Sequence, residues 1–500
     1  MEKYRQLKDR LAEISDVYRA AALLSWDQVT QMPPAGAEAR SYQLGTLSKI
    51  AHELLIADET GALIAAATAE LDGASYDADE AALVRTAKRD YEQAVKLPAD
   101  FVAEFTRVTA MGHEVWAKAR AENRFADFLP TLEQIVDLTK QATEYLGYTD
   151  HPYDALLDQF EPGMKTAHVT AVFDELKKDL VPLVRAISER LDRVDAACLH
   201  QDFDEDRQRD FSYEVIQKFG YDFQRGRVDR TVHPFATTFS INDVRITTRY
   251  DPKFLNTALF GCMHETGHAL YELGVDPAYE RTPLAAGASL ALHESQSRLW
   301  ENLVGRSRGF WSHFYPSLQK HFPAQLGGVS SDTFYRAINR VSPSFVRVEA
   351  DEVTYNLHIM LRFELEQEMI AGKVKIADLP EIWNARFQEY LGLTPATDSL
   401  GVLQDVHWAN GLIGYFATYA LGNLISVQLW DRALLDAPDI PAQIARGEFD
   451  ELRQWLAQSV HRYGRKYMPD ELVRRITGEG IQSRSYMRYL RTKYGEIYGL

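Results

Sequence analysis

The sequence predicts a mainly helical protein with one small sheet, on three observations. Apolar residues recur at helical spacing over most of the 500 residues. One stretch, residues 227–250, is instead rich in Thr, Val, Ile and Phe in short alternations. No Gly-, Ser- or Pro-rich linker divides the chain, so one large, mostly helical unit over 1–500 is expected, although length alone would suit two or three domains.

Each element has its own signal. Leu7, Leu11, Ile14, Val17 and Tyr18 form a first apolar stripe, and Leu44, Leu47, Ile50, Leu54 and Leu55 a second. Between them Pro33-Pro34 and Gly36 mark a break. Amphipathic stretches around 77–96, 98–122, 128–146, 166–192 and 205–219 predict further helices that pack on a core. In the Thr- and Val-rich stretch, FSI and VRITTRY flank Asn242-Asp243, which predicts a small antiparallel hairpin or meander. After Asp251-Pro252 the helical pattern returns, and it is expected to hold to the end.

Composition narrows the function. A formal net charge of −17 argues against nucleic acid, which is bound through clustered Lys and Arg, and against an anionic membrane surface. With only Cys198 and Cys262, neither a disulfide framework nor a Cys-rich metal site is expected. The opening MEKYRQLKDRLAEISDVYRA is charged throughout, unlike a signal peptide, and no run approaches the roughly 18 apolar residues of a membrane span. A cytoplasmic protein is expected.

The chemistry concentrates in FGCMHETGHALYELG, residues 260–274. On a helix, His264 and His268 share a face, so both imidazoles can reach one ion. Glu265 is rotated off that pair, placed to take a proton from a water at the ion's open position. A catalytic metal needs a third protein ligand. Tyr271 and Gly274 occupy the positions where one extended form of this motif places Gly and a third His, so that extension fails, and Gly274 reads as the end of the helix. Glu272, eight residues beyond His264, lies about 12 Å along the axis. A second helix must supply the ligand, and GASLALHESQSRLWENLV, residues 287–304, offers Glu294. Its stripe of Leu290, Leu292, Leu299, Leu303 and Val304 would bury an acid that then needs a partner or a metal. His293 suits a supporting or structural role.

HETGH followed by HESQ resembles the carboxypeptidase Taq family of metallocarboxypeptidases. HPF at His233–Phe235, DVRIT at Asp243–Thr247, VRVEAD at Val346–Asp351 and GVLQDVHW at Gly401–Trp408 match further motifs of that family. WDQVTQMPPAGAEAR and GYFATYALGN extend the likeness over essentially the whole chain. The resemblance implies a two-lobed helical gluzincin with a deep groove, similar to angiotensin-converting enzyme and neurolysin. The implied activity is release of C-terminal residues from peptides one at a time, by a homodimer. Zinc is the expected metal on His264, His268 and Glu294, with cobalt or manganese as alternatives. Arg347 is the expected anchor for the substrate's free carboxylate, or else pairs with Glu349, Asp351 or Glu352. By the same resemblance His407 and Tyr415 donate to the oxyanion or to the scissile peptide, with Tyr419 either facing the pocket or packing. Gln404 and Asp405 are expected to orient His407 or its neighbours. His233 and Arg245 belong to stretches the family associates with the closed end of the groove, although Arg245 can instead pair with Asp243. Two other functions compete: an endo-acting oligopeptidase on the same scaffold, and a binding scaffold without turnover.

Overall fold

The computed structural model describes all 500 residues, Met1–Leu500. It is mainly helical with one three-stranded sheet. The helices Asp79–Ala94, Ala99–Glu122, Phe125–Leu146, Thr166–Ser188 and Glu205–Phe219 lie where amphipathic spacing predicts them. The break at the two prolines is real: the first helix runs Glu2–Thr30, a 3-10 turn covers Pro34–Gly36, and the next helix begins at Ala37. No helix is long and apolar enough to cross a membrane.

Some predicted stripes are narrower than their sequences suggest. Leu7, Leu11 and Ile14 are buried, but Tyr18 is 44% exposed and the helix continues its buried face through Ala21 and Trp26. On Ala37–Ile56 only Ala51 is fully buried, and Ile50 is 41% exposed.

The chain forms two compact units. One comprises residues 1–95, 196–338 and 429–479, and the other residues 96–195, 339–428 and 480–500. The first holds the sheet and both predicted metal-ligand helices. The second holds Arg347, His407, Tyr415 and Tyr419.

The sheet is mixed, not purely antiparallel as expected. Strands β1 (Val228–Arg230), β2 (Ala236–Ser240) and β3 (Asp243–Thr248) lie in the order β1-β3-β2. β2 and β3 form the predicted hairpin around Asn242, with a register shift between Thr238 and Ser240. β1 runs parallel to β3, Val228 opposite Ile246, because residues 231–235 carry the chain across before β2 begins. Val244 and Ile246 of β3 pack with Cys262, Ala269 and Leu273 of the helix Asn256–Leu273. At about 100° per residue these three share one side of that helix, and the opposite side is left to His264 and His268.

The helical pattern does not hold to the end. Residues 339–354 contain only a 3-10 turn at Arg347–Glu349, and residues 392–416 contain no helix. Helix-like apolar spacing in these stretches reflects burial of loops against helices rather than helical backbone.

Candidate active site

The predicted metal-ligand residues sit on two helices that touch backbone to backbone. The helix Asn256–Leu273 carries His264, Glu265 and His268, and Gly274 ends it as predicted. The helix Leu290–Arg298 carries Glu294, and Ser289 caps it by accepting from the Leu292 N–H. Contact this close requires Gly267, the glycine of HETGH. A Cβ there would lie 2.5 Å from the Gln296 carbonyl oxygen and from Ser297 Cα. The buried stripe of the second helix is as predicted except for Leu290, which is 36% exposed at its first turn.

His264, His268 and Glu294 converge. Each histidine Nε2 lies 3.5 Å from Glu294 Oε2. Three donors each 2.0–2.2 Å from a tetrahedral ion would be separated by about 3.3–3.6 Å. The separations therefore fit a shared ion better than ordinary charge-assisted hydrogen bonds, which are near 2.8 Å. Donor set and spacing together suit a divalent metal.

Each of these three side chains is held from behind. His264 Nδ1–H donates to Glu301 Oε2 at 2.9 Å, so in the neutral ring the Nε2 lone pair faces Glu294. Glu301 follows Glu294 on a π-helical segment, Leu299–Val304, whose wider turn changes the facing of the residues after Glu294. Arg298 donates from Nε to Glu294 Oε1 at 2.7 Å and from Nη1 to Glu301 Oε2 at 3.1 Å. His268 is backed differently, by His293: their Nδ1 atoms are 2.7 Å apart, and His293 Nε2 is 2.8 Å from Glu272 Oε1. Glu272, too far along the helix to be a ligand, thus reaches the site through His293.

These surroundings separate the ionisation of like residues. Burial pushes Glu265 up to about 7, with His264 opposing and Glu294 adding to the rise. Such a carboxylate is poised as a general base near neutral pH. Burial also favours neutral Glu294 and Glu301, but Arg298 and the histidines outweigh it, holding Glu294 well below the usual range and Glu301 at about 2. Burial lowers His268 to about 4, whereas Glu294 and Glu301 overcome burial at His264 and raise it. The two histidines face the same carboxylate yet move oppositely, because an acid backs His264 and a second imidazole backs His268.

The second unit gathers another cluster. Arg347 is 6% exposed and pairs with Asp405, not with Glu349, Asp351 or Glu352. Its Nε and Nη2 donate to Asp405 Oδ1 at 2.9 and 2.8 Å, and Nη1 donates to Tyr355 Oη at 3.1 Å. Two of the five guanidinium N–H groups stay uncommitted among these bonds. Gln404 accepts from the Arg347 backbone N–H at 2.9 Å, so Gln404 and Asp405 support Arg347 directly. Arg362 Nε holds the other Asp405 oxygen at 2.6 Å.

His407, Tyr415 and Tyr419 lie together. Ring centroids are 5.4 Å apart for His407–Tyr415 and 5.3 Å for Tyr415–Tyr419, and Tyr419 Oη is 3.5 Å from His407 Nε2. The predicted turn between His407 and Tyr415 falls at Gly411, whose φ of +71° suits glycine. Burial lowers His407 to about 4, Asp405 opposing and Arg347 adding. Glu366 pins the segment: Trp408 Nε1–H donates to Oε1 at 2.8 Å, and Gly414 N–H and Tyr153 O–H donate to Oε2 at 3.0 and 2.6 Å.

His233 and Arg245 lie at the sheet and join neither cluster through any hydrogen bond. His233 is exposed, and its carbonyl accepts from Thr231. Arg245 makes a two-bond pair with Asp243, both bonds 2.8 Å, beneath the rings of Trp26 and Phe239.

Sequence reasoning missed Glu301, Arg298, Arg362 and Glu366. The only signal for them was an acid or base on an otherwise apolar helix face, the signal that did single out Glu294.

Two histidines on one helix and an acid from another form a donor set of the kind that metal-dependent hydrolases use. The chain belongs to the carboxypeptidase Taq (M32) metallopeptidase family, whose model matches residues 6–494. It is 42% identical to carboxypeptidase 1 of Bacillus subtilis, over 99% of this chain and 98% of that protein. The crystal structure of an M32 carboxypeptidase from Deinococcus radiodurans superposes with a TM-score of 0.97 at 42% identity, covering 100% of both chains. Trypanosoma cruzi metallocarboxypeptidase 1 gives 0.94 at 33% identity over 99% of each. The protein is accordingly a metal-dependent carboxypeptidase, a peptide hydrolase. Relatives named as carboxypeptidases support this over an endo-acting oligopeptidase.

Proposed function

We propose that the chain releases C-terminal residues one at a time, with His264, His268 and Glu294 as metal ligands, Glu265 as general base and Arg347 as anchor. The observation that carries this is the pair of 3.5 Å separations from the histidine Nε2 atoms to one Glu294 oxygen, with buried Glu265 on the same helix. Two imidazoles and a carboxylate suit zinc, and cobalt or manganese share the preference. When bound, such a metal acidifies a water and polarises the scissile carbonyl.

Glu265 takes the proton from the attacking water and returns one to the leaving amine. Tyr415 O–H and His407 donate to the oxyanion that develops at the last peptide carbonyl. His407 suits this in that burial lowers it to about 4, so near neutral pH its ring is neutral and carries one N–H to donate. Arg347 offers its two uncommitted N–H groups to the terminal carboxylate, with Asp405 fixing the plane of the guanidinium. Tyr419, whose ring lies 5.2 Å from the Arg347 guanidinium, binds the same end of the substrate. His233 and Arg245 contact the substrate at the sheet.

The finer likeness to angiotensin-converting enzyme and neurolysin is part of this proposal, as are a homodimer, a cytoplasmic location and a single catalytic domain over 1–500. The family model spanning residues 6–494 supports the last, and two cysteines outside any disulfide support the location.

A mixed set of peptides, with free and amidated C-termini, incubated with and without chelator and read by mass spectrometry, tests the proposal. Single-residue ladders from the free peptides alone, abolished by chelator, are expected. Equal turnover of amidated peptides, or indifference to chelator, would overturn it.

A further inference from the structure

We propose that His293 and Glu272 form a positioning relay that fixes the tautomer and orientation of His268, and so sets how tightly the metal is held. The inference rests on His268 being a ligand. It concerns residues that no part of the catalytic scheme uses.

Proton placement leaves one consistent arrangement. For His268 to present an Nε2 lone pair toward the position shared with Glu294, its Nδ1 must carry the proton. That proton has one partner, His293 Nδ1 at 2.7 Å, which must then accept. His293 is thereby protonated on Nε2, which donates to Glu272 Oε1 at 2.8 Å. The same Glu272 oxygen accepts the Gly287 N–H at 3.1 Å, fixing the carboxylate. With either imidazole in the other tautomer, one of the two short contacts would face donor against donor or lone pair against lone pair.

The fold holds the relay from both ends. His293 precedes the ligand Glu294 on one helix, and Glu272 lies one turn beyond His268 on the other. Each helix therefore supplies a ligand and one member of the relay. The Tyr271 ring lies 5.1 Å from that of His293 and 5.1 Å from that of His461, and the Tyr271 hydroxyl accepts the Ala288 N–H at 3.0 Å. Glu272 is buried, so its carboxylate is costly to keep without the hydrogen bonds it accepts. His264 has the shorter arrangement, one imidazole directly on Glu301. Partners of this kind typically change metal affinity 10–100-fold.

Zinc affinity and the rate of zinc loss to a chromophoric chelator, measured on the full chain, test the relay apart from turnover. Glu272→Gln and His293→Leu should each weaken zinc about 10–100-fold. His293→Gln should restore part of the loss, because its amide oxygen can accept from His268. In a relay, Glu272 acts only through His293, so Glu272→Gln added to His293→Leu should weaken zinc no further. Losses that multiply in the double variant, or zinc affinity within about twofold of the parent for both single variants, would overturn the relay. His268→Ala should lose zinc. If it does, failure of the relay leaves the ligand assignment standing; if it keeps zinc, both fall.

Discussion

The two helices proposed to hold the metal and the Arg347–His407–Tyr415 cluster solve positioning in opposite ways. In the first, the chemistry-bearing residues are part of regular helices, with His264 and His268 one turn apart and Glu294 brought in by backbone contact at Gly267. In the second, Arg347 sits on a 3-10 turn, and His407 and Tyr415 sit in a stretch without helix. A buried helix instead grips those loops from outside. Within Tyr355–Ile370, Arg362 holds Asp405 while Glu366, one turn on, holds Trp408 and Gly414. An ion needs its donors fixed within tenths of an ångström, which helical spacing provides. Groups that bind a substrate need reach and direction, which loops provide when a rigid element clamps them.

The largest expected effect isolates the metal helix. Glu265→Gln should lower kcat by about 10²–10⁴-fold while leaving zinc content unchanged, which metal analysis on the purified variant would check. Retained activity would remove Glu265 as the base and leave the two regions without a division of labour.

Arg347→Ala addresses the loop cluster. A loss of about 2–4 kcal/mol in kcat/KM is expected on peptides with free C-termini, with a much smaller loss on amidated ones. Equal losses on both would make Arg347 a structural partner of Asp405 only.

Gly267→Ala tests whether helix contact sets the ligand geometry. The added Cβ meets backbone rather than a flexible side chain, so a stability loss of about 1–3 kcal/mol with weakened zinc binding is expected. Denaturant unfolding beside zinc titration would measure both. Unchanged zinc affinity would mean that Glu294 reaches the histidines without that contact.

The last effect concerns the clamp, and it appears only as pH changes. Burial raises Glu366 to about 7, against its bonds from Tyr153, Gly414 and Trp408. The folded state therefore holds a proton there that the unfolded chain releases near 4.5. Stability from this group is full below about 4.5 and is lost as pH rises through about 7. Relative to Glu366→Gln, the parent should lose up to about 3 kcal/mol across that window, measured by denaturant unfolding at stepped pH. Parallel curves would show that Glu366 is ionised throughout.

Much of the metal region was legible in the sequence because its information is local. The four-residue spacing of His264 and His268, the stop at Gly274 and an acid on the apolar face at Glu294 all follow from helix periodicity. The hairpin at Asn242 was legible for the same reason, while its parallel third strand was not, since pairing with β1 joins residues nearly 20 apart in sequence. Arg347 was legible as a cation among acids but not its partner. Three nearby acids competed in the sequence, and packing chose Asp405, 58 residues on.

By itself, then, the sequence determined the helices of the site, most of their ends, and which residues on them carry the proposed ligands and base. Tertiary structure decided what stands behind each of these: Glu301 behind His264, His293 and Glu272 behind His268, Asp405 behind Arg347 and Glu366 behind the His407 loop. Periodicity sets which residues share a face of one element. Which buried charge meets which depends on how separate elements pack, and there the cost of leaving a charge unpaired selects the partner.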